Sequence, residues 1–205
     1  FVFADRGFVG ATPELLVRRA GERVTCRPMA GTMPRGSNNQ DVVARLVGSR
    51  KDGHEHAVVV DAVTSALARW CDDIRATGPE PAGLADVVHL ATHVSARVVD
   101  SSTSALDLAC ALHPTPAVAG TPRDRAVELI ERLEPTGRGK YAGPVGWVNA
   151  GGDGEFAVAL RCAQIDGRDA RLHAGAGIVA GSDPVAEWDE TAAKFEPMLR
   201  ALVRP

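Results

Sequence analysis

The chain has 205 residues, of which 45% are hydrophobic and 24% charged, and its formal net charge is −3. A chain of this length buries roughly 70% of the surface that its unfolded form exposes, so it needs neither a metal nor disulfides to fold. The slightly acidic balance, without a basic run, excludes nucleic acid and anionic membranes as partners. The N-terminal residues lack the pattern of a secretory signal and no run of 18 apolar residues occurs, so we expect a cytoplasmic protein.

The first part of the chain predicts a β-hairpin followed by two helices. Gly21 separates two short segments rich in β-forming residues, and residues 8–30 are predicted to be sheet. From Asn39 to Ile74, apolar residues recur at three and four positions, which predicts a short helix and then a long one. Residues 77–81, which contain two prolines, are predicted to end the long helix.

The rest of the chain predicts helices and strands in alternation. In chain order we expect a strand over 87–94, helices over about 103–112 and 123–133, strands over 145–150, 155–165 and 170–179, and a last helix opened by Pro184. Short turns between consecutive strands favour antiparallel pairing. The sequence therefore predicts an α+β fold, with large antiparallel β-sheets flanked by helices, in one domain over residues 1–205.

Two of the predicted helices carry acidic residues on one face. Asp52 and Glu55 are three residues apart near the start of the long helix, and Glu187, Glu190 and Lys194 recur at three and four positions on the last. Carboxylate pairs suit Mg²⁺, which one or two protein carboxylates typically bind together with waters and an anionic ligand. Acids near helix N-termini also interact favourably with the helix dipole, and spacing alone favours that interpretation over a metal site.

Other residues could bind a ligand or take part in catalysis, but their local sequence does not assign them such a role. Arg161 lies in an apolar strand segment, where it needs a buried anion such as a carboxylate. Glu14 stands at a turn, where a solvated acid is commoner than a catalytic one, and His89 in a strand is more often packed than catalytic. Residues 175–181 do not form a dinucleotide-binding fingerprint, because their spacing is GxGxxxG and no helix opens directly after them.

Several short motifs follow one another along the chain, namely Gly10–Leu16, Ala30–Gly36, Lys51–His56, Leu112–Pro116, Gly139–Gly143, Ala174–Val179 and Glu190–Lys194. Together they resemble the chorismate-utilising enzymes, a family of isochorismate, salicylate, anthranilate and aminodeoxychorismate synthases. The resemblance covers about residues 8–202 and implies an enzyme that acts on chorismate with the help of Mg²⁺.

The resemblance also implies roles for individual residues. Glu55 and Glu190 match the metal-binding acids, with Asp52 and Glu187 in support, and Glu14 matches the general acid that protonates the departing C4 hydroxyl. The matched substrate-binding positions are Tyr141 and Arg161 at the enolpyruvyl carboxylate, Gly31, Thr32, Gly175 and Lys194 on the ring-carboxylate side, the active-site histidine His89, and Ala117.

Ala117 favours the isochorismate synthase branch, because salicylate and anthranilate synthases usually carry Thr there. A salicylate- or anthranilate-type enzyme and a non-catalytic truncated binding module are the alternatives. The family's general base is a lysine upstream of the first motif, whereas Lys51, Lys140 and Lys194 each match other positions. We therefore expect the C-terminal part of an isochorismate synthase, inactive alone, whose partner is the N-terminal half of the same protein.

Overall fold

A computed structural model describes residues 1–3, 7–35, 38–84 and 86–203. The strands are β1 (Val2–Phe3), β2 (Phe8–Gly10), β3 (Leu15–Ala20), β4 (Arg23–Cys26), β5 (Met29–Pro34), β6 (Cys71–Gly83), β7 (Val87–Val98), β8 (Pro144–Val148), β9 (Gly154–Val158), β10 (Cys162–Asp166) and β11 (Asp169–Leu172). The helices are α1 (Asn39–Gly48), α2 (Arg50–Leu67), α3 (Ala105–Leu112), α4 (Arg123–Leu133) and α5 (Pro184–Val203). None of the helices in these ranges is long and apolar enough to cross a membrane.

The strands form two antiparallel sheets. The larger has the order β5-β7-β4-β3-β9-β8, with β6 also paired to β7, and the smaller has the order β1-β2-β10-β11. Ala20 pairs with Arg23 across the β3–β4 turn, where Gly21 adopts a φ of 59° that few other residues accept. The predicted α+β fold with large antiparallel sheets is confirmed.

Helices α2 and α3 cover one face of the larger sheet. Val59, Val63 and Leu67 of α2 and Leu108 of α3 are at most 3% exposed, and they pack against strand residues such as Val17. Full burial of an aliphatic side chain of this size contributes about 1.5–3 kcal/mol. The hydrophobic core therefore lies between these helices and the sheet.

The prediction of a helix reaching Ile74 and ended by residues 77–81 is wrong. Helix α2 ends at Leu67, and β6 runs from Cys71 to Gly83. Strand β6 pairs only with β7 among the described strands, and its register shifts between Asp72 and Arg75 and between Thr77 and Glu80. Prolines are tolerated in such an edge strand, because a missing N–H on the open side breaks no ladder hydrogen bond.

The predicted strand over 155–165 is interrupted, because the chain changes sheets there. Strand β9 ends in the larger sheet at Val158 and β10 starts in the smaller sheet at Cys162. Arg161, in the link between them, has a φ of 48° that interrupts the extended chain. The predicted strand over 170–179 is also too long, since β11 ends at Leu172.

The chain also changes sheets near its N-terminus. Residues 11–14 link β2 in the smaller sheet to β3 in the larger. The two links lie side by side. The amide of Ala11 donates to the carbonyl of Arg161 at 3.1 Å, and the amide of Val158 donates to the carbonyl of Glu14 at 3.1 Å. Glu14 and Arg161 are thereby brought together where the two sheets meet.

Candidate active site

A cavity opens beside the two links. It is lined by most of the residues that the sequence predicts as site residues, namely Glu14, Thr32, Glu55, His89, Ala117, Tyr141, Arg161, Gly175 and Lys194. An adjoining cavity is lined by Asp52, Glu187 and Glu190, and Thr32 is common to both. Gly31 lies beside them on β5. Positions spread over the whole sequence thus converge on one region.

Glu14 is a buried acid at the end of the 11–14 link, with 6% of its surface exposed. Burial raises its pKa from 4.5 to about 7, although the positive charges of Arg161 and Lys194 lower it in part. A carboxyl with such a pKa is partly protonated at neutral pH, which suits a general acid. The solvated-turn interpretation of Glu14 does not fit this burial.

Arg161 presents a half-buried guanidinium to the cavity. Burial lowers its pKa, while Tyr141, Glu14 and Glu190 oppose this effect. The described part of the chain supplies no ion pair or hydrogen bond to this side chain. A guanidinium that lacks an internal partner is well suited to bind a carboxylate of a ligand through two parallel hydrogen bonds.

Tyr141 forms an aromatic wall of the cavity. Its ring stacks on His173 with the ring centroids 5.2 Å apart. Burial raises the pKa of its hydroxyl, so the group remains a neutral hydrogen-bond donor at ordinary pH. Gly175 is close by, because a Cβ at this position would lie 3.6 Å from the Tyr141 hydroxyl oxygen.

Strands β5 and β7 contribute Gly31, Thr32 and His89. The β5–β7 register shifts between Ala30 and Thr32, and Gly31 occupies this bulge with a φ of 73°. Thr32 Oγ1 and His89 Nδ1 are hydrogen-bonded at 2.9 Å. Burial, with the charges of Lys194 and Arg161, lowers the pKa of His89 to about 3. His89 is therefore a neutral imidazole fixed by Thr32.

Helices α2 and α5 bring the acids together. The Lys51 ammonium donates to Glu187 Oε1 at 2.5 Å, which ties the start of α2 to the start of α5. Lys194 donates to Glu190 Oε1 at 2.5 Å and to the carbonyl of Gly175 at 2.8 Å. Asp52 is buried and accepts from the hydroxyl of Ser49, the N-cap of α2.

Glu55 lies close enough to Glu190 to be affected by its negative charge. Burial raises the pKa of Glu55, backbone hydrogen bonding by Gly31 opposes this rise, and the negative charge of Glu190 adds to it. Nearby, Glu187 Oε2 is buried without a hydrogen-bond partner. A bound cation would offset this accumulated negative charge.

The arrangement limits the kind of metal site. No group of three His, Cys, Asp or Glu side chains in the described ranges could hold a metal ion. A cation at Glu55 and Glu190 would therefore complete its coordination with water and an anionic ligand. That is the usual form of a protein Mg²⁺ site, so the pair is compatible with Mg²⁺.

One charged residue of the cavity wall, Arg138, is not apparent from the sequence. It stands between two glycines immediately before the motif that contains Tyr141. A long basic side chain in such a turn is usually solvated, so the local pattern gave no reason to select it. Its contact with the carbonyl of Val118, 20 residues away, depends on the fold.

The chain was compared with known proteins. The model of the chorismate binding enzyme family matches residues 1–203. The isochorismate synthase DhbC of Bacillus subtilis (strain 168) is 48% identical over 203 residues, which cover 96% of this chain and 50% of that protein. The chain therefore spans about half the length of this curated relative.

Two solved structures have the same fold. The menaquinone-specific isochorismate synthase MenF from Escherichia coli superimposes with a TM-score of 0.86 at 34% identity, over 95% of this chain and 46% of that one. Anthranilate synthase component I from Streptococcus pneumoniae TIGR4 superimposes with a TM-score of 0.83 at 32% identity, over 97% of this chain and 45% of that one.

Proposed function

Because this chain belongs to the family of chorismate-binding enzymes, we propose that the protein is a Mg²⁺-dependent isochorismate synthase. It converts chorismate into isochorismate, with water added at C2 and the hydroxyl lost from C4. The names of the relatives support this reaction, since both DhbC and MenF are isochorismate synthases. Ala117 favours the same branch, because the family resemblance implies that salicylate and anthranilate synthases usually carry Thr at this position.

Glu14 is the proposed general acid. Hydroxide is a poor leaving group, so the C4 oxygen must receive a proton as its bond to carbon breaks. A buried carboxyl with a pKa of about 7 holds that proton near neutral pH and releases it readily. The attacking water loses its own proton to a base, which the family resemblance assigns to a lysine upstream of the Gly10–Leu16 motif.

Arg161 and Tyr141 are the proposed ligands of the enolpyruvyl carboxylate. The guanidinium can form two hydrogen bonds to it, and the neutral Tyr141 hydroxyl can donate a further one. Neutral His89 adds no positive charge and is fixed by Thr32, so it can orient the substrate through a hydrogen bond.

The ring carboxylate is assigned to the side of Gly31, Thr32, Gly175 and Lys194. Glu55 and Glu190 would hold Mg²⁺ there, and Asp52 and Glu187 would add negative charge beside them. When bound, Mg²⁺ supplies positive charge that offsets the ring carboxylate and the surrounding acids.

The observation that supports the proposal is that one cavity is lined both by the buried Glu14 carboxyl, whose pKa is raised to about 7, and by the Arg161 guanidinium. The test is product analysis by chromatography, using the full-length protein, chorismate and Mg²⁺. We expect isochorismate from the wild type and from the exposed control Glu22→Gln. Glu14→Gln should lower kcat by roughly 10²–10⁴ with little effect on KM.

Other products would refute the assignment. Salicylate, or anthranilate when ammonium is supplied, would place the protein in another branch of the family. Chorismate binding without turnover would support a binding module. A Glu14→Gln variant with normal kcat would remove Glu14 from the role of general acid.

A further inference from the structure

Arg138 lines the cavity and contacts three other residues of the chain. Its Nε donates to both carboxylate oxygens of Glu134, at 3.1 and 2.9 Å, and its Nη2 donates to Oε1 at 2.6 Å. Its Nη1 donates to the carbonyl of Val118 at 2.6 Å. The guanidinium carbon also lies 5.8 Å from the centre of the Tyr141 ring, within the range of a cation–π interaction.

Each of these contacts involves a different segment. Glu134 is the C-cap of α4, and its position is fixed by its amide, which donates to the carbonyl of Ile130 at 2.9 Å. Val118 follows Ala117 in a turn closed by the hydrogen bond from its amide to the carbonyl of Thr115. Tyr141 is anchored by its own amide, which donates to the Arg138 carbonyl at 3.0 Å.

The geometry suits arginine and no other side chain. Glu134 holds the planar guanidinium in a fixed orientation, and this orientation directs Nη1 at Val118 while the flat face lies near Tyr141. A lysine ammonium could replace one of these contacts but not all of them, because it has no planar fork.

Stability alone does not account for this arrangement. The side chains of Arg138 and Glu134 are 26% and 36% exposed, so solvent screens their ion pair and reduces its contribution to folding. Arg138 instead lines the cavity together with Ala117, Val118 and Tyr141.

We propose that Arg138 is a positioning residue, which holds the Ala117–Val118 turn and the Tyr141 ring in place for the enolpyruvyl end of the substrate. This inference rests on the proposed function, because it takes Tyr141 and Ala117 to be substrate contacts. Loss of the fork would leave both segments less ordered before binding. Affinity for substrate would therefore fall, while proton donation by Glu14 would continue once substrate is bound.

The test compares Arg138→Lys, Glu134→Gln and the double variant with Arg132→Lys, a control on the exposed part of α4. Arg138→Lys should raise KM about tenfold and leave kcat within about threefold, whereas the control should behave as the wild type. Glu134→Gln should raise KM less, and the double variant should be no worse than Arg138→Lys, because the two residues act as a unit. Thermal unfolding should change little in all of them.

The dissociation constant for chorismate, measured by calorimetry, separates this inference from the proposed function. If the wild type binds chorismate without making isochorismate, the proposed function fails, and a weaker affinity of Arg138→Lys still supports positioning. The inference itself is overturned by wild-type affinity in Arg138→Lys, by a fall in kcat with KM unchanged, or by additive losses in the double variant.

Discussion

The environment of Glu14 makes the stability of the protein depend on pH in a way that one substitution removes. Glu14→Gln keeps the size and shape of the side chain but cannot ionise. In the folded protein the pKa of Glu14 is about 7, against an ordinary value of 4.5. The difference corresponds to ~3 kcal/mol of free energy against the ionised form in the folded state.

The sign follows from proton binding. Between pH 4.5 and 7 the folded chain retains a proton at Glu14 that the unfolded chain releases, so the stability of the wild type decreases as pH rises through this interval. Above pH 7 both states are ionised and the loss is complete. The Glu14→Gln variant avoids this loss. Its free energy of unfolding, relative to that of the wild type, should therefore increase from pH 5 to pH 8.5 by up to ~3 kcal/mol.

Denaturant unfolding followed by tryptophan fluorescence at the two pH values measures this change directly. Glu22→Gln, an exposed substitution of the same type, should give the same small difference at both pH values. If the free-energy difference between Glu14→Gln and the wild type is equal at pH 5 and pH 8.5, Glu14 is not a buried acid with a raised pKa, and its assignment as the proton donor loses its physical basis.

Two further predictions concern the metal site and the core. Glu190→Gln should raise the Mg²⁺ concentration needed for half-maximal activity and reduce the rise in melting temperature caused by Mg²⁺, and an unchanged Mg²⁺ dependence would contradict the assignment. Arg19→Lys should lower the free energy of unfolding by about 2–3 kcal/mol. The reason is that the buried Arg19 guanidinium donates to the carbonyls of Gly21, Gly151 and Ser101. A variant as stable as the wild type in denaturant would contradict this prediction.

The sequence predicted those element boundaries that are set by residues close by in the chain. The β3–β4 hairpin follows from Gly21, and the start of α5 follows from Pro184, which is tolerated at the first position of a helix. The end of α2 could not be predicted in this way. The exposed charges and prolines of β6 lack a strand pattern, and only pairing with β7, a tertiary interaction, makes this segment extended.

The site was predicted unevenly for a similar reason. Residue chemistry alone indicated Arg161 as an anion ligand. It grouped the acids of α2 and α5 but favoured their interaction with the helix dipole over a metal site, and it left Glu14 as a solvated acid. The family resemblance supplied its proposed role as the general acid. Arg138 escaped both approaches, because its importance depends on Val118, which is distant in sequence, and on the way α4 ends.

The two links between the sheets limit where residues can be inserted into this protein or deleted from it. Glu14 and Arg161 stand in residues 11–14 and 159–161, and the hydrogen bonds from Ala11 to Arg161 and from Val158 to Glu14 fix their relative positions. Inserting or deleting one residue in either link would turn a side chain away from the cavity, even if every strand remained intact. The β10–β11 turn at residues 166–169 has no such constraint, since it lies far from these links in the pairing of the smaller sheet. Insertions and deletions at outer turns such as residues 166–169 should therefore preserve the site. Insertions and deletions in the two links between the sheets should disrupt it.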